Sequence, residues 1–413
     1  MSKVKDVVIV GGGIIGLTSA YYLTLEGHRV TLIDDTKEGN ELNCSFENAG
    51  YICPSHYIPL AAPGVINAGL KWMLDPQSPF YIPMKFKGDL LSWLWKFYKA
   101  SSQRRVDIAI PVLLDLGLQS RELFQAMNEA LELGMTPNGL SLLCKTDKYL
   151  EEERHIATKA RDLGLTVEDL TSEDLSKLSK HKMDIAGGVR YLNDAHLDPR
   201  ILMSKLLKHL TEAGVNFVND LIDTINLDSK GVASVGNKKY KADEYIIAGG
   251  AWSTELARRV GINIPIQPGK GYTMTFDNSR ALTNDPAMLI EGKVALTPFE
   301  HEYRIAGTME LGVYDRSINE QRILGIKNSV KSFFPEYDGS QILAKNAQSG
   351  LRPCSPDGMP YIGRSQKIPN LIFACGHTIL GISLSAITGK LINDIVSGRD
   401  PSVAMEILNP ERF

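Results

Sequence analysis

Nothing in the 413-residue chain approaches the roughly 18–20 continuous apolar residues that a membrane-spanning helix needs, so no transmembrane span is expected. Cysteine is scarce. Cys44, Cys53, Cys144, Cys354 and Cys375 are odd in number and scattered, with no CxxC among them. That spacing speaks against a disulfide framework and a thiolate metal site, and predicts reduced, mostly buried thiols. A net charge of −3 with 23% charged residues supplies no basic field of the kind nucleic acid requires. No signal-type apolar segment opens the chain, because the first apolar run is one strand long and flows straight into glycines; a cytoplasmic location is the expectation. Two catalytic motifs fail as well. His301-Glu302 does not complete HExxH because position 305 is Ile, and Gly389-Lys390 is followed by Leu391 and lacks the earlier glycine of a Walker A loop at 384. Asn43-Cys44-Ser45 fits a glycosylation sequon, which carries no weight without export.

What is present begins at residue 7. VVIVGGGIIG is a buried strand running into Gly11, Gly13 and Gly16, and Ile14, Ile15, Leu17, Ala20, Tyr21 and Leu23 supply the helical stripe that packs on it. Gly11 allows the tight turn, Gly13 lets the backbone approach a pyrophosphate, and Gly16 lets the helix sit close to the strand. Arg29 to Ile33 forms a second strand that Asp34 closes, placing a carboxylate to accept from ribose hydroxyls. Strand, glycine turn, helix and acid together read as a dinucleotide clamp.

The length exceeds one comfortable core and predicts two domains. Residues 52 to 83, with Pro54, Pro59, Pro63, Pro76, Pro79 and Pro83, read as an extended crossing segment. Apolar spacing predicts helices over 106–133 and 148–163, strands at Leu140–Cys144 and Gly187–Tyr191, and a helix from Asp198-Pro199 to Leu210 with aspartate as cap. Asn216–Asn219, Thr224–Leu227 and Val232–Val235 read as a small meander. ADEYIIAGGAW at 242–252 is a second buried strand, ending in Gly249-Gly250 with no phosphate fingerprint after it, and so a return into the nucleotide-binding sheet. Tyr272–Phe276, Val294–Thr297 and Tyr303–Gly307 are strand-like, and a final strand turns at Gly376 into a long amphipathic helix. Interleaved domains follow, with 1–81, 196–261 and 346–413 forming the nucleotide-binding domain, and 82–195 and 262–345 the substrate domain. One segment has two readings. In GDLLSWLWKFYK at 88–99, Leu90, Trp93, Leu94 and Phe97 fall at i, i+3, i+4 and i+7, with Trp95 and Tyr98 widening the face and Lys96 and Lys99 beside it. It packs inside the second domain, or it docks peripherally on a membrane.

Two further clues are chemical. Gly376, Thr378 and Gly381 would leave backbone N–H groups unpaired at a helix start, which stabilises negative charge. In GLRPCSPDGMPYIG at 350–363, Arg352 is placed rigidly before Pro353, and a fixed guanidinium clamps a carboxylate through two parallel bonds.

GGGIIG, SFENAGYICPSH (45–56), IIAGGAWS (246–253), GLRPCSPDG (350–358) and GHTILGIS (376–383) together resemble the D-amino-acid oxidase superfamily of flavoproteins over nearly the whole chain. Asn48-Ala49-Gly50 and the turn at His377 look most like the D-amino-acid dehydrogenases, including those acting on hydroxyproline. The resemblance implies an α/β fold in which an FAD-binding Rossmann-like domain is interleaved with an antiparallel-sheet α+β substrate domain, as in glycine oxidase. It implies FAD held by Gly11, Gly13, Ile14, Ile15 and Gly16, with Asp34 and Asp35 at the adenosine ribose and Val218 beside the adenine. Ser45, Asn48, Ala49 and Gly50 would lie near the pyrophosphate and flavin, Gly249 and Gly250 along the cofactor chain, and Gly376, His377, Thr378, Leu380, Gly381 and Ile382 around the isoalloxazine. Arg352 stands where related enzymes grip the substrate carboxylate. Tyr272 is a second choice for the pocket, with an aromatic core filler an equal reading. Sarcosine oxidases tether their flavin through a cysteine near the place of Gly350, so non-covalent FAD is expected. The implied reaction is oxidation of a D-amino acid, D-proline and hydroxy-D-proline among the candidates, by hydride transfer from Cα to flavin N5, giving the imino acid and then the 2-oxo acid. A quinone or the respiratory chain would take the electrons. His56, His196 and His377 read as hydrogen-bonded structural groups, and no general base is nominated. An oxygen-using oxidase of the glycine or sarcosine oxidase type, a nicotinamide-dependent dehydrogenase and a non-catalytic flavoprotein are the alternatives.

Overall fold

The computed structural model describes residues 3–35, 44–73, 75–82 and 88–413; Asn43 of the sequon and Pro83 of the proline-rich segment lie outside them. The chain opens with β1 (Asp6–Val10), α1 (Ile14–Leu25), β2 (Arg29–Asp34), β3 (Tyr51–Ile52), α2 (Val65–Trp72) and β4 (Phe80–Tyr81). Two helices, α3 (Gly88–Ala100) and α4 (Gln103–Leu131), precede β5 (Leu140–Cys144), α5 (Asp147–Asp162), β6 (Val167–Asp169), α6 (Ser172–Leu178), β7 (Gly187–Tyr191) and β8 (Ala195–His196). Then come α7 (Pro199–Glu212), β9 (Asn216–Asn219), β10 (Ile225–Asp228), β11 (Gly231–Val235), β12 (Glu244–Ile247) and α8 (Ser253–Arg259). The last third holds β13 (Gln267–Asp277), β14 (Ala287–Leu289), β15 (Val294–Pro298), β16 (Glu302–Leu311), α9 (Glu320–Phe333), β17 (Ala347–Cys354), β18 (Tyr361–Arg364), β19 (Leu371–Cys375) and α10 (Ser385–Ser397).

Two large sheets organise these elements. The first runs β18-β19-β12-β1-β2-β9, with β12, β1, β2, β9 and β19 parallel and β18 antiparallel at one edge. Val7 to Val10 are buried on both faces, as a central parallel strand requires, and helices α1, α7, α10 and α4 pack on one side. The second sheet is mixed, mostly antiparallel, and runs β17-β13-β16-β15-β14-β5-β7-β6 with β4 on β16. It is an α/β architecture with a Rossmann-like sheet interleaved with an antiparallel one. The expected boundaries assign 346–413 to the nucleotide-binding part, yet β17 within that range pairs with β13 in the second sheet.

Local signals hold where their partners are close in sequence. Asp198 accepts from Arg200 N at 2.8 Å and Pro199 opens α7, which is the expected cap. The meander does not form as expected. β9 pairs parallel with β2 through Ile33 and Val218, and only β10 and β11 make a hairpin, because alternation alone does not specify which strand supplies the partner. Within 52–83 the chain folds part of its length as α2, and the buried strand of 242–252 stops at Ile247. The C-terminal helix starts at Ser385, after a series of turns from Gly376. The cysteines are free, and burial pushes the Cys144, Cys354 and Cys375 thiols up to about 12.

Residues 88–100 settle as a helix with two apolar faces. Leu90, Trp93, Leu94 and Phe97 turn inward against Ile82, Leu311 and Cys354, and Trp93 Nε1 donates to Cys354 O at 2.9 Å. The stripe first offered for membrane contact is therefore core, while Trp95 and Tyr98 stay exposed. Among the described residues no helix is long and apolar enough to cross a membrane.

A buried acid sits where β3 meets β8. Asp194 accepts from Ser55 N at 3.1 Å and from Ser55 Oγ, and burial pushes its carboxyl up to about 7 despite these bonds. The folded state thus holds the proton more tightly than the unfolded chain, so this group's contribution to stability falls as pH rises from about 4 to about 7. Asp194→Asn should flatten the decline of melting temperature over that window; thermal melts at pH 5 and pH 8 check it.

Candidate active site

The carboxyl ends of β2, β1 and β12 lie side by side, the place where open α/β sheets take their ligands. Gly11 follows β1 at φ +118°, and a Cβ there would stand 2.4 Å from Ala248 O; one at Gly16 would stand 1.9 Å from Gly11 O. Both glycines are thus dictated by the closeness of β1, α1 and β12. Gly13 is the N-cap of α1 and has no side chain to cap it, while Ser45 Oγ accepts from Ile14 N at 3.0 Å, with Ile15 next in the first turn. Asp34 accepts from the amides of Gly12 and Asp35, yet burial raises its pKa, the state of a carboxylate that hydroxyl donors would further satisfy. Val218 stands opposite Ile33, and Gly249 and Gly250 follow β12, with open space where a Gly250 side chain would be. These residues converge on one edge.

The loop from Ser45 to Gly50 is held from the second sheet. Arg304, on β16 and almost fully buried, donates through Nη1 to Phe46 O at 2.8 Å and Asn48 O at 2.5 Å, and through Nε to Thr275 Oγ1. Burial lowers this guanidinium to about 10. Thr297 Oγ1 donates to Ala49 O, Thr273 Oγ1 donates to Glu47 Oε2, and the Gln348 amide, in its donating orientation, faces the same carboxylate at 2.8 and 2.9 Å. Asn48 Oδ1 accepts from Gly50 N at 2.8 Å, and at Gly50 (φ +80°) a Cβ would meet Leu197 O at 2.1 Å.

Arg352 lies on β17 opposite Gly269 of β13, and its guanidinium rests over Gly271, where a Cβ would be 2.1 Å from Nη1. Nη1 donates to Thr308 O at 2.8 Å; among the described residues Nε and Nη2 have no acceptor. Alternation along β13 puts Gly271, Thr273 and Thr275 on the face toward the 45–50 loop and Tyr272 on the other. The structure does not bring Tyr272 to Arg352. Its ring is buried with Met274, Ile323 and Ile326, and its hydroxyl donates to Glu310 beside Lys270, which fits the core-filler reading.

The turn after β19 meets the end of β17. Thr378 N donates to Pro353 O at 2.9 Å, one residue from Arg352, and Cys354 bridges His377. His377 is buried, its Nε2 pairs with Thr388 Oγ1 at 2.9 Å, and burial takes its pKa down to about 3, so it is neutral at any ordinary pH. Leu384 N donates to Leu380 O, so a helical turn begins at Leu380, and the amides of Gly381, Ile382 and Ser383 have no backbone acceptor among the described residues. His196, by contrast, pairs with Thr136 through its backbone on β8.

An anionic, hydrogen-bonding cofactor fits this edge. His377 Nδ1 and Thr378 Oγ1 are buried without partners, Thr378 is held at φ +55°, and a side chain at Gly381 would enter open space. Residues 6–395 match the family model described as FAD dependent oxidoreductase. The chain belongs to that family. FAD is accordingly its cofactor. Among solved structures the chain is similar to glycine oxidase from Geobacillus kaustophilus (24% identity, 99% of each chain covered, TM-score 0.78). It is similar also to iminodiacetate oxidase from Chelativorans sp. BNC1 (20% identity, 98% of each chain, TM-score 0.74) and to L-proline dehydrogenase from P. horikoshii (17% identity, 100% of this chain and 98% of that one, TM-score 0.75). At these identities the likeness is one of fold.

Gly271, Thr308, Glu47 and Arg304 were not singled out by sequence. For Gly271 a signal exists, since a glycine inside a strand marks close approach by another group. Arg304→Met should leave the buried carbonyls of Phe46 and Asn48 unpaired, costing about 2–4 kcal/mol of stability, and should weaken FAD retention; equilibrium unfolding and flavin fluorescence on dilution measure the two effects.

Proposed function

We propose that this protein oxidises a D-amino acid, with cyclic substrates such as D-proline or hydroxy-D-proline included, and passes the electrons to a quinone or respiratory-chain acceptor rather than to oxygen. The observation that carries the amino-acid reading is the guanidinium of Arg352, anchored by one N–H to Thr308 O and, among the described residues, left with Nε and Nη2 for a carboxylate. The preference for the D series rests on the resemblance of Asn48–Gly50 and the His377 turn to the D-amino-acid dehydrogenases.

Bound FAD supplies the redox chemistry, accepting the electron pair and hydrogen that leave the substrate Cα. The chain's own contribution is placement. Arg352 fixes the carboxylate, and the short link from Pro353 O to Thr378 N holds that anchor in register with the Gly376–Ile382 turn. The amides that open the turn at Leu380 favour the negative charge that reduction builds. No side chain need act as a base when the substrate amine is bound neutral. His377 suits this role of bystander, with Nε2 committed to Thr388 and the ring uncharged; His56, lowered to about 4 by burial, is uncharged too.

Arg352→Lys should raise KM roughly ten- to hundredfold, the worth of one charge-assisted hydrogen bond, with FAD content unchanged. Gly271→Ala should act in the same direction by displacing the guanidinium from its berth. Anaerobic mixing of the holoprotein with D- and L-amino acids, proline, hydroxyproline, sarcosine and glycine, followed at the flavin band, tests the substrate class. Bleaching by D-amino acids that persists in air supports the dehydrogenase; rapid recolouring in air points to an oxidase, and no bleaching by any amino acid refutes the reading.

A further inference from the structure

The outward face of α3 and the start of α4 is unlike the remainder of this mildly acidic molecule. Leu91, Trp95 and Tyr98 recur at i, i+4 and i+7 on α3, away from the inner stripe, and are 53%, 57% and 61% exposed; Ile108 on α4 is 52% exposed. Between residues 90 and 106 the chain carries Lys96, Lys99, Arg104 and Arg105 and no acid, although its net charge is −3. The two carboxylates that flank this stretch in sequence are engaged, Asp89 with Arg258 at 2.8 Å and Asp107 with the Gln103 amide at 2.7 Å. The cations are not. Lys96 reaches only Ser92 Oγ, Lys99 lies 4.9 Å over the Trp95 ring, and among the described residues none of the four pairs with a carboxylate. Trp95 and Tyr98 stack in parallel at 5.7 Å, two amphipathic rings presented together to the outside.

We propose that the α3–α4 elbow docks this protein on an anionic phospholipid surface. Trp95 and Tyr98 enter at headgroup depth, where such rings partition favourably, while Lys96, Lys99, Arg104 and Arg105 meet lipid phosphates. The inner stripe of α3 stays anchored in the core through Trp93 and Phe97, so the helix binds without leaving the fold. A cavity of about 600 Å³ opens beside the elbow, lined by Arg104, Arg105 and Ile108 and also by two carboxylates, Glu406 and Asp357, the latter paired with Arg412 at 2.7 Å. A membrane-soluble electron acceptor would then be met at the surface where it resides.

Co-sedimentation of the FAD-loaded full chain with vesicles tests this. The protein should pellet with phosphatidylcholine vesicles containing phosphatidylglycerol, remain in solution with phosphatidylcholine alone, and dissociate as salt is raised. The Lys96→Gln/Lys99→Gln variant should lose roughly tenfold or more in partitioning, and Trp95→Ser/Tyr98→Ser a comparable amount, with flavin absorbance and melting temperature as in the parent to show that each is folded. Absence of pelleting, equal pelleting with both vesicle types, or undiminished binding of both variants overturns the proposal. So does a concentration-dependent dimer, seen by sedimentation velocity and abolished by Trp95→Ser, without vesicle binding, which would make the face an interface between copies. No amino acid is oxidised in the assay, so its failure leaves the proposed reaction untouched.

Discussion

One face of the strands β13, β16 and β17 carries two arginines with opposite assignments. Arg304 is consumed by structure, its guanidinium buried against the carbonyls of Phe46 and Asn48, so that the loop reaching from the Rossmann-like sheet has no freedom of its own. Among the described residues Arg352 is anchored on one side, over a strand that lacks side chains at Gly269 and Gly271. A Cβ at position 271 would evict it. The same alternation that turns these groups toward the 45–50 loop sends Tyr272 and Lys270 to the back of the sheet, where Glu310 and Asp315 receive them.

The two sheets are tied beside the proposed carboxylate anchor. Pro353 O and Thr378 N join the arginine-bearing strand to the turn that opens toward Gly381, so a displacement of one is transmitted to the other within two residues. On the far side of the turn the Thr388 hydroxyl holds His377, and Cys53 N donates to Ser383 Oγ at 2.8 Å, pinning the turn to the chain that follows Gly50. Placement of this kind suits a reaction in which the cofactor supplies the electrons and the protein supplies distance and orientation.

What could be read from sequence was what is decided locally. The β1–α1–β2 unit was legible because strand, turn and helix follow one another directly and Gly16 answers a contact with Gly11 five residues before it, whereas the closeness of Gly11 to Ala248 is visible only in the fold. The start of α7 was legible because Asp198 caps the turn that follows it. β9 was misassigned because its partner, β2, lies nearly two hundred residues away and leaves no trace in the local alternation. Arg304 was invisible because a lone arginine in an alternating strand reads as solvent-facing, and only the loop packed over it makes it buried. On α3 two apolar stripes compete, and which one faces inward depends on the pocket formed by Ile82, Leu311 and Cys354 rather than on the helix itself.

The central claim is that a half-free guanidinium faces the cofactor and accepts a carboxylate. The most direct measurement is a titration of the oxidised holoprotein, followed by flavin absorbance, with a non-oxidisable aromatic carboxylate and with its primary amide. A saturable spectral change with the carboxylate and none with the amide is the expected result. Equal perturbation by both, or by neither, would contradict the account.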